Sequence, residues 1–325
     1  MSSETAPKIS VIVPNYNYAR YLRARMNSIF CQTYRDFEII LLDDASTDGS
    51  QDLIEQYLAH PAVSQVFVNK NNSGSPFLQW MKGIQAARGE YIWIAEADDM
   101  ADFDFLSYCM EKIEGNPHVA FCYCGSRLID EDGNQIYKDP NRWGRRYSRD
   151  AALFEGKVFL RRNLYWRNYV INASAVLFRR DMALKLAGSA FLEMRYCGDW
   201  LFWAQMAEQG QVIEMYHLLN SFRQHTGKTT VRSHETGGGL LEDIMVVKEI
   251  ERMVGNIDDY RRRLRRGLLY RKIFRDIKSD EVRKAVIKTL YETLGSSKAD
   301  HYLELCNRFL RLINPSLPTA RRDRL

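Results

Sequence analysis

Three acids, Glu96, Asp98 and Asp99, stand within four residues of one another. Carboxylates this close repel, so a fold that gathers them usually supplies a cation. Their oxygens suit Mg2+ or Mn2+, which keep coordination positions open for substrate phosphates. A second acidic pair, Asp43-Asp44, closes another apolar run. A carboxylate there could accept the N–H of a nucleobase, and Tyr16 could offer the base a ring face. Plainer roles exist for both pairs: Asp98 or Asp99 could cap the next helix, and Asp43 or Asp44 could start the turn at Ser46-Thr47. Asp199 stands alone, after Cys197-Gly198 and before Trp200, Phe202 and Trp203. It could serve as a general base, as an N-cap, or as both. Backbone N–H bonds would lower its pKa, and burial against Trp200 or Trp203 would raise it. Arg223-Gln224-His225 ends a strand-like run. There Arg223 or His225 could bind phosphate or complete a metal shell, or simply end a surface strand.

The elements that must position these groups are legible in order. Lys8 to Pro14, Phe37 to Leu42 and Tyr91 to Ala95 are short apolar runs, the expected form of strands buried on both faces, and Val63 to Val68 reads as a further strand. Between them, Tyr21, Leu22, Met26, Ile29 and Phe30, then Leu53, Ile54, Tyr57 and Leu58, then Phe77 to Ala87 read as helices. Strand alternating with helix predicts a doubly wound α/β layer, whose ligands bind outside the carboxyl ends of the strands. Those ends carry Asp43-Asp44 and Asp98-Asp99. Farther on, a strand is expected at Val119 to Tyr123, a hairpin at Leu128 to Tyr137 and a strand at Ser174 to Phe178. A helix is expected at Asp199 to Glu208, with strands at Val212 to Tyr216 and Leu218 to Phe222. Pro140 to Tyr147, basic and aromatic, reads as a loop. Tyr165 to Asn172, dense in aromatic and amide groups, could stack on a sugar, although core packing is the commoner fate of any one ring. From about Leu240 four helices follow, near 240–255, 259–276, 280–294 and 299–312.

Composition sets further bounds. The chain has 325 residues, 46% of them hydrophobic, enough for a sizeable core. Met1 to Pro7 has no apolar h-region, and no run of about 18 uncharged apolar residues occurs. Six scattered cysteines without a CxxC pair predict reduced thiols and no zinc site. A cytoplasmic protein is the expectation. The net charge of +5 is uneven: residues from Leu240 onward carry +7 and the remainder −2. No GxGxxG follows the first strand and no GxxxxGK[ST] occurs, which disfavours Rossmann dehydrogenases and P-loop NTPases.

KISVIVPNYNYARYLRARMNSIFCQTYRDFEIILLDDASTDGS, GEYIWIAEADD and CGDWLFWAQMAEQG occur in that order. Together they resemble glycosyltransferase family 2 over roughly residues 8 to 225. The resemblance implies a GT-A-type, Rossmann-like, mostly parallel sheet flanked by helices. Residues 1–238 would be the catalytic domain, with a nucleotide-sugar half to about 125 and an acceptor half from about 126. Residues 239–325 would be a basic helical extension. The implied reaction is inverting transfer of a sugar from a nucleotide diphosphate sugar to an acceptor hydroxyl, of the kind used in surface polysaccharide assembly. By that resemblance Pro14, Tyr16, Asp43 and Asp44 line the nucleoside site. Asp98 contacts ribose or metal, Asp99 the metal (Mn2+ or Mg2+), and Asp199 is the general base. His225 would join the metal shell, and Arg223, Glu96 and Trp200 are candidates for diphosphate or acceptor contacts. Two departures stand out: Glu96 where the family often has Asp, and Trp80-Met81 where it often has Arg-Asn.

Two rival classes fit less well. A nucleotide-sugar binding module without turnover is disfavoured by the presence of both Asp99 and Asp199. A nucleic-acid binder is suggested only by the arginine-rich tail, which lacks a recognisable motif. That tail has eight cations in the acid-free run from Arg261 to Arg275. It predicts helices packed on the catalytic domain or on a second copy, with a basic face against an anionic inner-membrane leaflet. A glycan or lipid-linked glycan acceptor would meet the protein there.

Overall fold

The structure is a computed structural model that describes residues 6–137, 140–141, 149–224 and 237–314. Two compact units make up the chain. One comprises Met1–Glu155, Val170–Leu192 and Gln209–His225; the other comprises Gly156–Tyr169, Glu193–Glu208 and Thr226–Leu325.

The first unit is built on a sheet of ten strands, ordered β3-β2-β1-β4-β9-β6-β10-β5, with β7 on β6 and β8 on β10. β1 (Ile9–Asn15), β2 (Phe37–Asp43), β3 (Val63–Val68) and β4 (Tyr91–Ile94) are mutually parallel. All of β1 and β4 is buried, the reason both read as unbroken apolar runs rather than alternating ones. α1 (Ala19–Phe30), α2 (Ser50–Tyr57) and α3 (Pro76–Ala86) make the crossovers. α3 approaches β1 so closely that a Cβ on Gly83 would lie 2.5 Å from the Ile12 side chain. Gly89, just before β4, passes the backbone of Ser10, where a Cβ would come within 2.6 Å of its nitrogen. Both positions therefore demand glycine.

The rest of the sheet is mixed. β5 (Met100–Ala101) and α4 (Phe105–Ile113) lead to β6 (Val119–Ile129), which runs on into a hairpin with β7 (Gln135–Tyr137). β9 (Val176–Arg179) lies antiparallel between β4 and β6, and α6 (Arg180–Leu184) follows it. β8 is Ala151–Phe154. The two strands expected at 212–222 are one, β10 (Gln211–Arg223), whose register on β6 slips between Glu214 and Leu218. The slip breaks the period-two pattern and makes one strand read as two.

The second unit is helical. α5 (Gly156–Phe159) continues into a π-helical turn, Leu160–Leu164; α7 is Gly198–Gln209. Then come α8 (Gly238–Val254), α9 (Asp259–Asp276), α10 (Asp280–Leu294) and α11 (Lys298–Ile313). Leu264, Leu268, Leu269 and Ile273 of α9 are buried as the apolar stripe requires, whereas Phe274 is 48% exposed. Five of its basic residues face acids on other helices. Arg263 meets Asp300, Arg266 meets Glu251, Arg271 meets Glu304, and both Arg265 and Lys272 meet Asp243. Five of the eight cations of the acid-free run are thus paired with acids of α8 and α11, while Arg261 and Arg275 pair with Asp258 and Asp276 at the ends of α9 itself. α11 reciprocates by turning Asp300, Glu304 and Asn307 inward, while Tyr302, Leu305, Phe309, Leu312 and Ile313 face outward. Among the described residues no helix is long and apolar enough to cross a membrane.

Candidate active site

The carboxyl ends of β1, β2 and β4 meet in the first unit, and each ends in polar side chains that organise a loop. Asp43 is fully buried. Its Oδ1 accepts from Asn15 Nδ2 (2.8 Å) and Ser46 Oγ (2.6 Å), and its Oδ2 from the Ser46 N–H (2.9 Å) and Gln51 Nε2 (3.1 Å). Asp44 accepts from Asn69 Nδ2 (2.6 Å), Gln79 Nε2 (2.9 Å), and both the N–H and the hydroxyl of Ser73. It thereby ties the loop before α3 to the end of β2. Ala45, between these acids and Ser46, has φ 62, and Asn17 in the loop after β1 has φ 57. Left-handed backbone is tolerable for asparagine and strained for alanine. Pro14 is buried within β1, and Tyr16 is 46% exposed at its mouth.

After β4 the chain turns through Glu96, Ala97, Asp98 and Asp99. Asp99 is 1% exposed and held by three donors: its Oδ2 accepts from Asn172 Nδ2 (2.8 Å) and Ser174 Oγ (2.7 Å), its Oδ1 from the Arg223 N–H (2.9 Å). Arg223, at the end of β10, spends its guanidinium on the carbonyl oxygens of Asp98 (2.7 Å), Asp130 (2.8 Å) and Glu131 (3.0 Å). Its role here is to clamp the acidic turn to the β6–β7 hairpin. Glu96 Oε1 accepts from Trp80 Nε1 at 2.8 Å, so the two residues that depart from the family pattern touch each other. Burial, then the charge of Asp98, pushes the Glu96 carboxyl up to about 8. The same two causes push Asp99 upward.

That crowding bears on a metal. Among the described residues no three His, Cys, Asp or Glu side chains form a ready-made cage. Mg2+ and Mn2+ sites for phosphates do not need one, since one or two carboxylates suffice when phosphate oxygens complete the shell. Buried hard oxygens held close to one another suit such a cation, and the half-buried Asp98 stands next to both Glu96 and Asp99 in this turn. His225 lies outside the described residues, as do Arg142 to Tyr147 of the basic loop.

Asp199 belongs to the second unit, in the first turn of α7. Its Oδ1 accepts the Trp200 N–H (2.7 Å) and its Oδ2 the Asn168 side-chain N–H (2.8 Å). Burial is the largest influence on it, and the carboxyl is pushed up to about 6. At neutral pH it is ionised yet basic enough to take a proton. Glu242 of α8 collects the N–H groups of Arg195, Tyr196 and Cys197 and so fixes the approach to α7. The Trp200 ring is 4% exposed, with its N–H on the Leu164 carbonyl oxygen. Tyr165, Trp166 and Tyr169 are buried too. Sequence reasoning missed Arg25 and Ser174, and it placed Asn168 and Asn172 in a sugar-stacking segment rather than on the carboxylates of Asp199 and Asp99. Arg25 alone left a signal: a charged residue in the apolar stripe Leu22, Met26, Ile29.

Known proteins share this architecture. The family described as glycosyl transferase family 2 matches residues 10–186. An uncharacterised glycosyltransferase of Nostoc sp. is 43% identical over 95 residues, 29% of this chain and 29% of that protein. TuaG of Bacillus subtilis, named for teichuronic acid biosynthesis, is 31% identical over 132 residues, 41% of this chain and 52% of that protein. The matched region thus spans about a third to a half of these relatives. TarS 1-349 of S. aureus, in complex with UDP-GlcNAc, superposes with a TM-score of 0.68 at 16% identity, covering 95% of this chain and 86% of that one. A mannosyltransferase of Pyrobaculum calidifontis, in complex with GDP-Man and Mn2+, gives 0.52 at 16%, covering 97% and 77%. At such identities the structural likeness speaks for the fold, which is of the GT-A type. With more than half of its residues inside the family's domain, this chain belongs to glycosyltransferase family 2.

Proposed function

We propose that the chain is a metal-dependent, inverting glycosyltransferase. It would move a sugar from a nucleotide diphosphate sugar to an acceptor hydroxyl during assembly of a polysaccharide. The observation that carries this is the acidic turn Glu96–Asp99 at the end of β4, where burial and then the charge of Asp98 raise two carboxyls, on the same sheet edge as the loops at Asp43-Asp44. The UDP-GlcNAc and GDP-Man complexes of the two similar structures, one with Mn2+, support the donor class and the metal. Teichuronic acid biosynthesis and chondroitin synthesis, named for two relatives, support the product class.

In this reading Tyr16 and Pro14 border the nucleoside, and Asp43 and Asp44 shape its loops. Asp98 and Asp99 would hold the metal between them, with Asp99 fixed in place by Asn172, Ser174 and the Arg223 N–H. A divalent cation there would neutralise the departing diphosphate. Asp199 would take the proton of the attacking hydroxyl, and its attack on the face opposite the leaving group inverts the anomeric carbon. Residues 1–238 would carry these roles, with 239–325 as a helical extension whose Glu242 supports the approach to Asp199. The test is a thermal-shift panel of UDP-, GDP- and dTDP-sugars with Mn2+. A donor at about 100 times its Kd adds roughly 2.7 kcal/mol of stability, and no shift with any donor would contradict the proposal.

A further inference from the structure

The residue that this function leaves unexplained is Arg25. Its neighbours on the same face of α1, Leu22, Met26 and Ile29, are core residues, and Arg25 is likewise 0% exposed. A helix packed on a sheet has no use for a guanidinium, and a buried charge is costly unless it is paired and hydrogen-bonded. Arg25 Nε donates to the Glu96 carbonyl oxygen at 2.8 Å, and Nη2 donates to Ser174 Oγ at 3.1 Å. The guanidinium lies over the Trp93 ring, 5.5 Å from its centroid, and the Trp93 N–H donates to the Ser174 carbonyl oxygen at 2.9 Å. Ser174 Oγ also accepts the Glu96 N–H at 3.1 Å. A hydroxyl has two acceptor sites and one proton. With both acceptor sites taken, the Ser174 proton goes to Asp99 Oδ2, 2.7 Å away. Trp80 holds the Glu96 carboxyl group from another side. The turn bearing Asp98 is therefore gripped at the residues on either side of it, through its backbone and through Asp99. Arg25 Nη1 is buried and has no hydrogen-bond partner among the described residues.

We propose that Arg25 is a positioning residue for the donor diphosphate: through the Glu96 peptide and the Ser174 hydroxyl it fixes the turn that presents Asp98. The inference rests on the reading of that turn as the diphosphate and metal site. A planar fork is what the geometry uses, because two donors on one rigid plane reach two acceptors at once. Lysine, with the same charge and no fork, cannot reproduce it.

The experiment compares the full-length wild type with Arg25→Lys and Ser174→Ala. Calorimetry measures UDP, GDP and dTDP, each with and without Mn2+, and the matching nucleoside monophosphates. Circular dichroism follows cooperative unfolding. In both variants the Mn2+-dependent gain in diphosphate affinity should fall by about 10- to 100-fold, the worth of a hydrogen bond to a charged group, while monophosphate affinity stays within about twofold. An unchanged Mn2+-dependent gain overturns the proposal. So does an equal loss of mono- and diphosphate affinity, which is what a merely structural arginine would give. Should Arg25→Lys fail to fold, Ser174→Ala decides alone by the same two outcomes. If the wild type binds none of the three diphosphates, the donor-site reading itself has failed. Wild-type binding matched by the variants removes only Arg25.

Discussion

Asp199→Asn separates chemistry from architecture. The substitution keeps the side chain's shape and its bond from the Trp200 N–H. The amide it introduces would face the donating Asn168 amide, but Asn168 Oδ1 is buried without a hydrogen-bond partner among the described residues. A flip of Asn168 would then restore one bond and leave the fold intact. The Asp199 carboxyl moves from an ordinary 3.8 to about 6 in the folded chain, chiefly through burial. A carboxyl raised on folding binds protons better in the native state. Its contribution to stability therefore falls as pH rises from 3.8 through about 6, and the full penalty is present above that. A rise of that size corresponds to roughly 3 kcal/mol, and the side chain's partial exposure reduces this to about 1–3 kcal/mol. Asp199→Asn should thus raise stability at pH 7.5 by that amount, and by about 1 kcal/mol less at pH 5. A wild-type kcat limited by this base should climb with pH through about 6 and then level off. In the variant kcat should drop by about 10²–10⁴, with donor affinity unchanged. Donor turnover across pH and thermal unfolding at two pH values check both halves. Parallel losses of affinity and rate, or lower stability at pH 7.5, would refute the assignment.

Other substitutions probe the supports. Asp44→Ala leaves the Asn69, Ser73 and Gln79 donors without their acceptor. It should cost about 1–3 kcal/mol per stranded group and weaken nucleotide binding, as denaturant melts and calorimetry would report. Ala45→Gly relieves a left-handed alanine and should raise stability by about 1 kcal/mol; a lower melting temperature would show that the loop's geometry is not strained as described. Arg265→Met leaves Asp243 buried with only Lys272 beside it and should cost about 3 kcal/mol in a denaturant titration, whereas a change within about 0.5 kcal/mol of wild type (the usual spread of surface substitutions) would mean that the pair is dispensable.

Much of the first unit was legible because strands covered on both faces must be apolar throughout, as β1 and β4 are. The acids at their ends were legible as residue types but not as contacts. Whether Asp44 faces a base or gathers Asn69, Ser73 and Gln79 depends on a loop some thirty residues away. β5 and β8, at two and four residues, are too short to carry a period, whereas β7 was legible through the hairpin turn at Asp132-Gly133. In the run Arg261 to Arg275 the pairing of five cations was not legible because their partners, Asp243, Glu251, Asp300 and Glu304, lie on other helices. Asn168 and Asn172 sit in irregular chain and Ser174 in a single 3-10 turn, where no periodicity marks a polar residue as buried.

The central claim is that this chain breaks the bond between a sugar and a nucleoside diphosphate with help from a divalent cation. The most direct measurement incubates the purified protein with UDP-, GDP- and dTDP-sugars and follows release of the nucleoside diphosphate, with Mn2+ or with excess EDTA. The account predicts slow release from at least one donor in Mn2+, abolished by EDTA and by Asp98→Asn. Release that persists in EDTA would contradict the metal's role, and no release from any donor, with or without candidate acceptors, would contradict the function itself.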